Sequence, residues 1–162
     1  PDVAPTPKDG GVVTVSGEIP AVDFEQEKTL SGRIDYKRVF KIESDGLRIE
    51  TTITSDGKVD FAELYETLPV FLREARRQIK TAPTSIEWEI DGRPMPATAE
   101  FSENVGSVLL KRFDGVVRIT FDQPQRVKLS PEDWADTFVT RATCRNVMID
   151  LRKSSHVSYK IR

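Results

Sequence analysis

Five Asp-Gly dipeptides punctuate this chain, at Asp9-Gly10, Asp45-Gly46, Asp56-Gly57, Asp91-Gly92 and Asp114-Gly115, and they use five of its nine glycines. A tight hairpin needs positive φ, which glycine adopts without steric cost, so Asp-Gly between alternating apolar runs marks a hairpin. Such runs flank the central pairs. Phe40 and Ile42 precede Asp45-Gly46, and Leu47, Ile49, Thr51 and Ile53 then alternate with Arg48, Glu50, Thr52 and Thr54. A period of two is that of a half-buried strand. With glycine spent on turns, neither GxGxxG nor a P-loop is present.

The same pattern recurs along the chain. Val12, Val13 and Val15 open a strand-like run ended by Gly17 and Pro20, and Asp23 to Gly32 reads as a polar loop. Arg33 to Tyr36 resumes the alternation. Leu64, Leu68, Leu72, Ala75 and Ile79 fall at helical spacing, but Pro69 interrupts them. Proline inside a helix costs about 3 kcal/mol, which favours a strand through Ala62–Leu68 and at most a short helix around Phe71–Gln78. Ile86, Trp88 and Ile90 alternate with Glu87, Glu89 and Asp91, and Pro94 and Pro96 place the next segment at an edge or in a loop. Further short strands are expected over Ala97–Phe101, Val108–Arg112, Val117–Phe121, Arg126–Leu129, Val147–Leu151 and Val157–Ile161. Ser130 as N-cap with Pro131 at the first helical position predicts one short helix over Pro131–Ala135.

These elements predict an all-β fold: an antiparallel β-sandwich of many short strands with one short helix. Residues 1–11, with three prolines, form a linker or arm, and 12–162 form a single domain. The expected core is Phe40, Ile42, Leu47, Ile49, Ile53, Trp88, Ile90, Ile119, Phe121 and Ile149. The start at Pro1 without Met suggests a piece of a larger parent, and the end on a strand suits a C-terminal position.

Composition narrows the function classes. Lys+Arg 24 against Asp+Glu 26 lacks the basic excess that neutralises phosphates, which argues against a nucleic-acid partner. No run reaches the roughly 18–20 apolar residues of a membrane span, and no membrane insertion is expected. Cys144 alone makes no internal disulfide, and its expected role is a small buried residue. His156 is the only histidine, so no zinc motif forms and neither metal nor cofactor is expected. Ser55, Asp56, Lys58 and Asp60 lack the EF-hand spacing and read as a polar loop.

The outward positions carry paired charges. Arg33, Asp35 and Lys37 share one strand, Arg48 and Glu50 another, Glu87 and Glu89 a third, and Arg118 and Asp122 a fourth. Such positions either form cross-strand ion pairs, worth about 0.2–1 kcal/mol each, or offer carboxylates and guanidinium groups to sugar hydroxyls. The candidate ligand-binding residues are Arg48, Glu50, Glu87, Glu89, Arg118 and Trp134; no catalytic residue is assigned. Glu87 and Glu89 share a strand face, the arrangement a general acid–base pair across a sugar would need. Trp134, although a candidate sugar platform, is more often in such a place a lid that closes one end of a core.

The order Tyr36-x-Arg38-x-Phe40, Asp45-Gly46-Leu47-x-Ile49-Glu50 and Glu63-Leu64-Tyr65-Glu66-x-Leu68-Pro69 resembles the β-sandwich accessory domains of bacterial polysaccharide lyases of the heparinase II/III-like group. The likeness covers roughly residues 33–72 and rests on hairpin and core positions. In that group catalysis uses a separate helical domain, so the resemblance implies a non-catalytic accessory module whose partners are polysaccharide or an upstream catalytic domain, in a secreted or periplasmic protein. A protein-interaction domain of a cell-surface assembly, with an apolar patch at Val70, Phe71 and Leu72, is the alternative. A small glycan-active hydrolase or lyase is the third reading.

Overall fold

The computed structural model describes residues 2–3, 10–19, 22–23, 28–29, 33–56, 61, 63–71, 87–96, 100–112, 115–130, 134–135, 143–152 and 154–162. In chain order the strands are β1 (Asp2–Val3), β2 (Val12–Ile19), β3 (Val22–Asp23), β4 (Lys28–Thr29), β5 (Ile34–Glu43), β6 (Gly46–Ser55), β7 (Tyr65–Phe71), β8 (Glu87–Ile90), β9 (Arg93–Met95), β10 (Ser102–Arg112), β11 (Gly115–Leu129), β12 (Trp134–Ala135), β13 (Thr143–Asp150) and β14 (His156–Ile161). The pairings within each of the two units described below are antiparallel, and no helix occurs among the described residues. The all-β reading therefore holds. The chain divides into two compact units, Pro1–Leu64 with Leu151–Arg162, and Tyr65–Asp150.

The first unit is a sheet in the order β1-β2-β5-β6-β14, with β3 and β4 paired separately. The β5–β6 hairpin sets its register. Glu43 pairs with Gly46, so the turn is Ser44-Asp45 and Gly46 is the first residue of β6 at φ 151°. Alternation then gives each side of the sheet one character. One side carries Ile34, Ile49, Ile53, Val157 and Tyr159, all buried, together with Thr51, which accepts a hydrogen bond from Arg38 Nε at 3.2 Å. The other side carries Ser16, Lys37, Lys41, Glu50, Thr52 and Ser158, none of them buried. Gly17 pairs with Tyr36, and a Cβ on Gly17 would lie 3.1–3.4 Å from that ring, so the glycine lets the ring lie close against β2.

The second unit runs β9-β8-β10-β11-β13-β7, and β12 pairs with β13 beside β11. Trp88, Ile90, Val108, Leu110, Ile119 and Phe121 are buried along its first half, and Val127, Leu129, Val147 and Ile149 along its second. The Asp91-Gly92 turn has φ 50° and 77°, positive at both positions, as a two-residue hairpin with the twist of its flanking strands requires. β11 is a single strand where two short ones were expected. Between Val105↔Gln125 and Ser107↔Thr120 it places four residues, Phe121 to Pro124, against Gly106 alone on β10, and this bulge absorbs Pro124, which lacks an amide to donate. The opposing amides of Gly106 and Ser107 donate to the Asp91 carboxylate, at 3.1–3.2 Å and 2.7 Å.

Several expectations are corrected. Gly17 continues β2 to Ile19, and the expected loop at Asp23–Gly32 contains the β3–β4 pair. The strand expected at Ala62–Leu68 is found three residues later; Pro69 sits within it, on an edge strand whose only described partner is β13. Pro94 likewise lies on β9, whose only described partner is β8. Phe71 is strand, and the rest of the possible helix around Phe71–Gln78 lies outside the described residues. Of the helix expected over Pro131–Ala135, Trp134 and Ala135 are instead strand, paired with Cys144 and Thr143, and Pro131–Asp133 lie outside the described residues. Of the expected core, Ile42 is 53% exposed, because it stands at the turn end of β5, and Phe40 and Leu47 are only half-buried. The remaining seven of those core positions are buried.

Candidate functional site

The polar side of the first unit is built from alternation plus register. Ser16 pairs with Lys37 and Lys37 with Thr52; one step along, Glu18 pairs with Asp35 and Asp35 with Thr54. Six polar side chains thus form two rows of three across β2, β5 and β6. Neighbouring strands lie about 4.8 Å apart and positions i and i+2 about 6.7 Å apart, so the grid spans about 10 by 7 Å. It lines a depression of about 360 Å³ together with Arg33, Gly17 and Tyr36.

Arg33 enters from the start of β5, where its carbonyl accepts the Asp56 amide at 3.3 Å. Its Nε donates to both oxygens of Asp35, at 2.9 and 2.8 Å, and lies 3.9 Å from Glu18. The hydrogen bond that Arg33 donates to Asp35, reinforced by the charges of Asp35 and Glu18, holds Arg33 above the usual guanidinium range. Among the described residues Lys37 has no carboxylate partner. Thr52 Oγ1 lies 3.1 Å from His156 Nδ1 at the border of the grid. The depression thus presents acceptors (Glu18, Asp35), donors (Arg33, Lys37) and three hydroxyls that do both.

Arg48 and Glu50 lie on this same side, further along β6, and both are engaged. Arg48 Nε donates to Glu43 at 3.0 Å, and its Nη1 approaches Ser158 Oγ at 3.4 Å. Glu50 accepts from Lys41 at 2.6 Å. Beyond them is an ionic knot: Lys160, nearly buried, donates to Glu43 at 2.5 Å and to Asp45, which also pairs with Arg162 at 2.7 Å. The hydrogen bond from Lys160 is the main cause that holds Glu43 and Asp45 below the usual carboxylate range, and their carboxylates hold Lys160 above the usual lysine range.

The other expected site residues belong to the second unit. Glu87 and Glu89 share a face, but Lys111 Nζ sits between them, 3.9 Å from Glu87 and 2.7 Å from Glu89. The hydrogen bond to Glu89 raises the Lys111 pKa. A carboxylate pair that shares one ammonium is an ion-pair cluster on a sheet surface, not a pair poised as acid and base. Arg118 lies in the row Glu89–Leu109–Arg118, exposed and without a described partner. Trp134 is placed by its backbone alone, opposite Cys144; both side chains lie outside the described residues.

Sequence reasoning missed an aromatic cluster in this unit. Tyr65 and Phe101 have ring centroids 5.8 Å apart, Arg126 stacks 4.1 Å over Phe101, and Lys128 Nζ lies 4.7 Å from Phe101 and 5.4 Å from Tyr65. Arg126 is clamped by Asp150 at 2.6 Å and Glu103 at 2.5 Å, which raise its pKa in that order. The rings are half-buried and already faced by cations, so the cluster ties β7, β10, β11 and β13 together. A second depression, of about 420 Å³, is bordered by Ile90, Asp91, Arg93, Met95 and Ser102, but its Asp91 is committed to the bulge amides.

No protein-family model, curated protein or solved structure matches this chain.

Proposed function

We propose that this chain is a non-catalytic β-sandwich accessory module of a larger, exported carbohydrate-active protein, and that it contacts polysaccharide through the polar sheet face of its first unit. The observation that carries the reading is the grid of Ser16, Glu18, Asp35, Lys37, Thr52 and Thr54 around a depression of about 360 Å³. That volume lies within the range of small-ligand sites, about 300–1,000 Å³. Its mixture of acceptors, donors and hydroxyls suits ring hydroxyls, which both give and take hydrogen bonds. The sandwich is supported by the one-sided alternation of the strands, since a sheet with one apolar side buries it against another layer.

A glycan-array screen at physiological salt tests the proposal. The wild-type chain is expected to bind a narrow glycan class, and the double variant Asp35→Asn, Thr54→Val to lose it while staying folded. A blank array with a folded, monodisperse chain sinks the polysaccharide reading.

One observation favours the alternative, a protein-interaction domain. Val12 is 51% and Ile42 53% exposed at the same end of the sheet, Val12 on the side of Lys41 and Ile42 on the opposite side with Leu47, so each side there leaves one apolar side chain uncovered. The patch expected at Val70, Phe71 and Leu72 does not support it. Val70 is buried, and the side chains of Phe71 and Leu72 lie outside the described residues.

A further inference from the structure

We infer that the depression on the first unit takes a neutral, hydroxylated sugar residue and discriminates against sulfated, phosphorylated and uronate residues. The inference rests on the polysaccharide reading above and deepens it. Three features of the grid carry it.

The first is charge. The depression is bordered by two cations, Arg33 and Lys37, and two carboxylates, Glu18 and Asp35. The four charges sum to zero, so the depression carries no net positive charge to favour an anion. A site built for an acidic polymer gathers unpaired Arg and Lys. Here the Arg33 Nε is already engaged by Asp35 at 2.9 and 2.8 Å.

The second is the placement of those charges. Register puts Asp35 next to Lys37 along β5 and opposite Glu18 on β2, so the carboxylates sit in the middle of the grid and at its edge. An anionic substituent reaching Lys37 from that row would come within one residue spacing of a carboxylate. Neutral hydroxyls meet no such repulsion. They donate to Asp35 and Glu18 and accept from Lys37 and the outer nitrogens of Arg33, for which no described partner exists.

The third is size. Two rows on three strands cover about 10 by 7 Å, the footprint of one pyranose ring with its hydroxyls. The hydroxyls of Ser16, Thr52 and Thr54 occupy three of the four corners of that footprint, and Glu18 the fourth. Each rotates to donate or accept, so the grid tolerates sugars that differ in one hydroxyl's orientation while the carboxylates still exclude anionic ones.

Isothermal titration calorimetry of the full chain tests this, with short neutral oligomers (glucan, mannan and xylan) and short uronate oligomers as probes, each at low and at high salt. The expected result is binding of a neutral oligomer, with an affinity nearly independent of salt and reduced about tenfold by Asp35→Asn, the loss of one charged acceptor. Glu18→Gln, at an exposed position, serves as a second variant and is expected to weaken neutral binding while improving uronate binding. Binding of uronate oligomers alone, with affinity falling steeply as salt rises, overturns the inference but leaves the polysaccharide reading standing. No binding of any oligomer overturns both.

Discussion

Gly46 and Gly115 allow a backbone effect to be separated from a packing effect. Both stand at φ 151° at the start of a strand, Gly46 paired with Glu43 and Gly115 with Arg112. An alanine in that region carries strain of about 1–3 kcal/mol. The surroundings differ. A Cβ on Gly115 meets nothing within 4 Å, whereas a Cβ on Gly46 falls 2.2 Å from the Ile161 carbonyl oxygen. That oxygen is backbone, so it moves only if the end of β14 lifts from Leu47, its register partner. Losing one or two hydrogen bonds there adds about 1–2 kcal/mol. Gly115→Ala should therefore cost about 1–3 kcal/mol and Gly46→Ala about 2–5 kcal/mol. In urea, with a slope of about 2 kcal/mol per molar, the extra loss at Gly46 lowers the midpoint by roughly a further 0.5–1 M. Hydrogen exchange locates it: the amides of Leu47 and Ile161 lose protection in Gly46→Ala and keep it in Gly115→Ala. Equal midpoints, or unchanged protection in Gly46→Ala, would refute the steric argument.

Three other outcomes are expected. Asp91→Ala removes the acceptor of the Gly106 and Ser107 amides, and urea unfolding should show a loss of about 1–3 kcal/mol. The knot of Lys160, Glu43 and Asp45 should make stability fall on acidification, because carboxylates held below their usual range stabilise the fold above pH about 4 and lose that contribution as the pH drops through their folded values; the raised Lys160 contribution is lost only above its ordinary value, and Lys160→Met should flatten the acid limb of a melting-temperature profile. Lys111→Gln should change stability by no more than about 1 kcal/mol, as expected of a half-exposed surface pair, and should leave glycan binding intact in a titration.

The parts of the fold that the sequence made legible are those set by local chemistry. Alternation identified the buried side of β6, β8 and β13, and the Asp-Gly pairs identified the hairpins. Once the Ser44-Asp45 turn is placed, register arithmetic brings Asp35 opposite Thr54 and Lys37 opposite Thr52, so two-thirds of the grid was within reach. The remaining third was not. β2 meets β5 across an intervening segment that contains β3 and β4, and no turn motif fixes that register. The continuous β11 was hidden for a different reason: Pro124 reads as a terminator unless the bulge that accommodates it is known. The charged residues singled out from sequence, Arg48, Glu50, Glu87 and Glu89, prove to be held in ion pairs because each faces an opposite charge on a neighbouring strand, which depends on strand order. The aromatic cluster of Tyr65, Phe101, Arg126 and Lys128 joins strands distant in sequence and left no local signal.

Amide chemical-shift mapping of the isotope-labelled chain, titrated with whichever oligosaccharide the array selects, tests the central claim most directly. The account predicts that the saturable shifts concentrate on Ser16, Glu18, Asp35, Lys37, Thr52 and Thr54. Shifts concentrated instead around Glu87, Glu89 and Arg118, or no saturable shift on the β2–β5–β6 face, would contradict it.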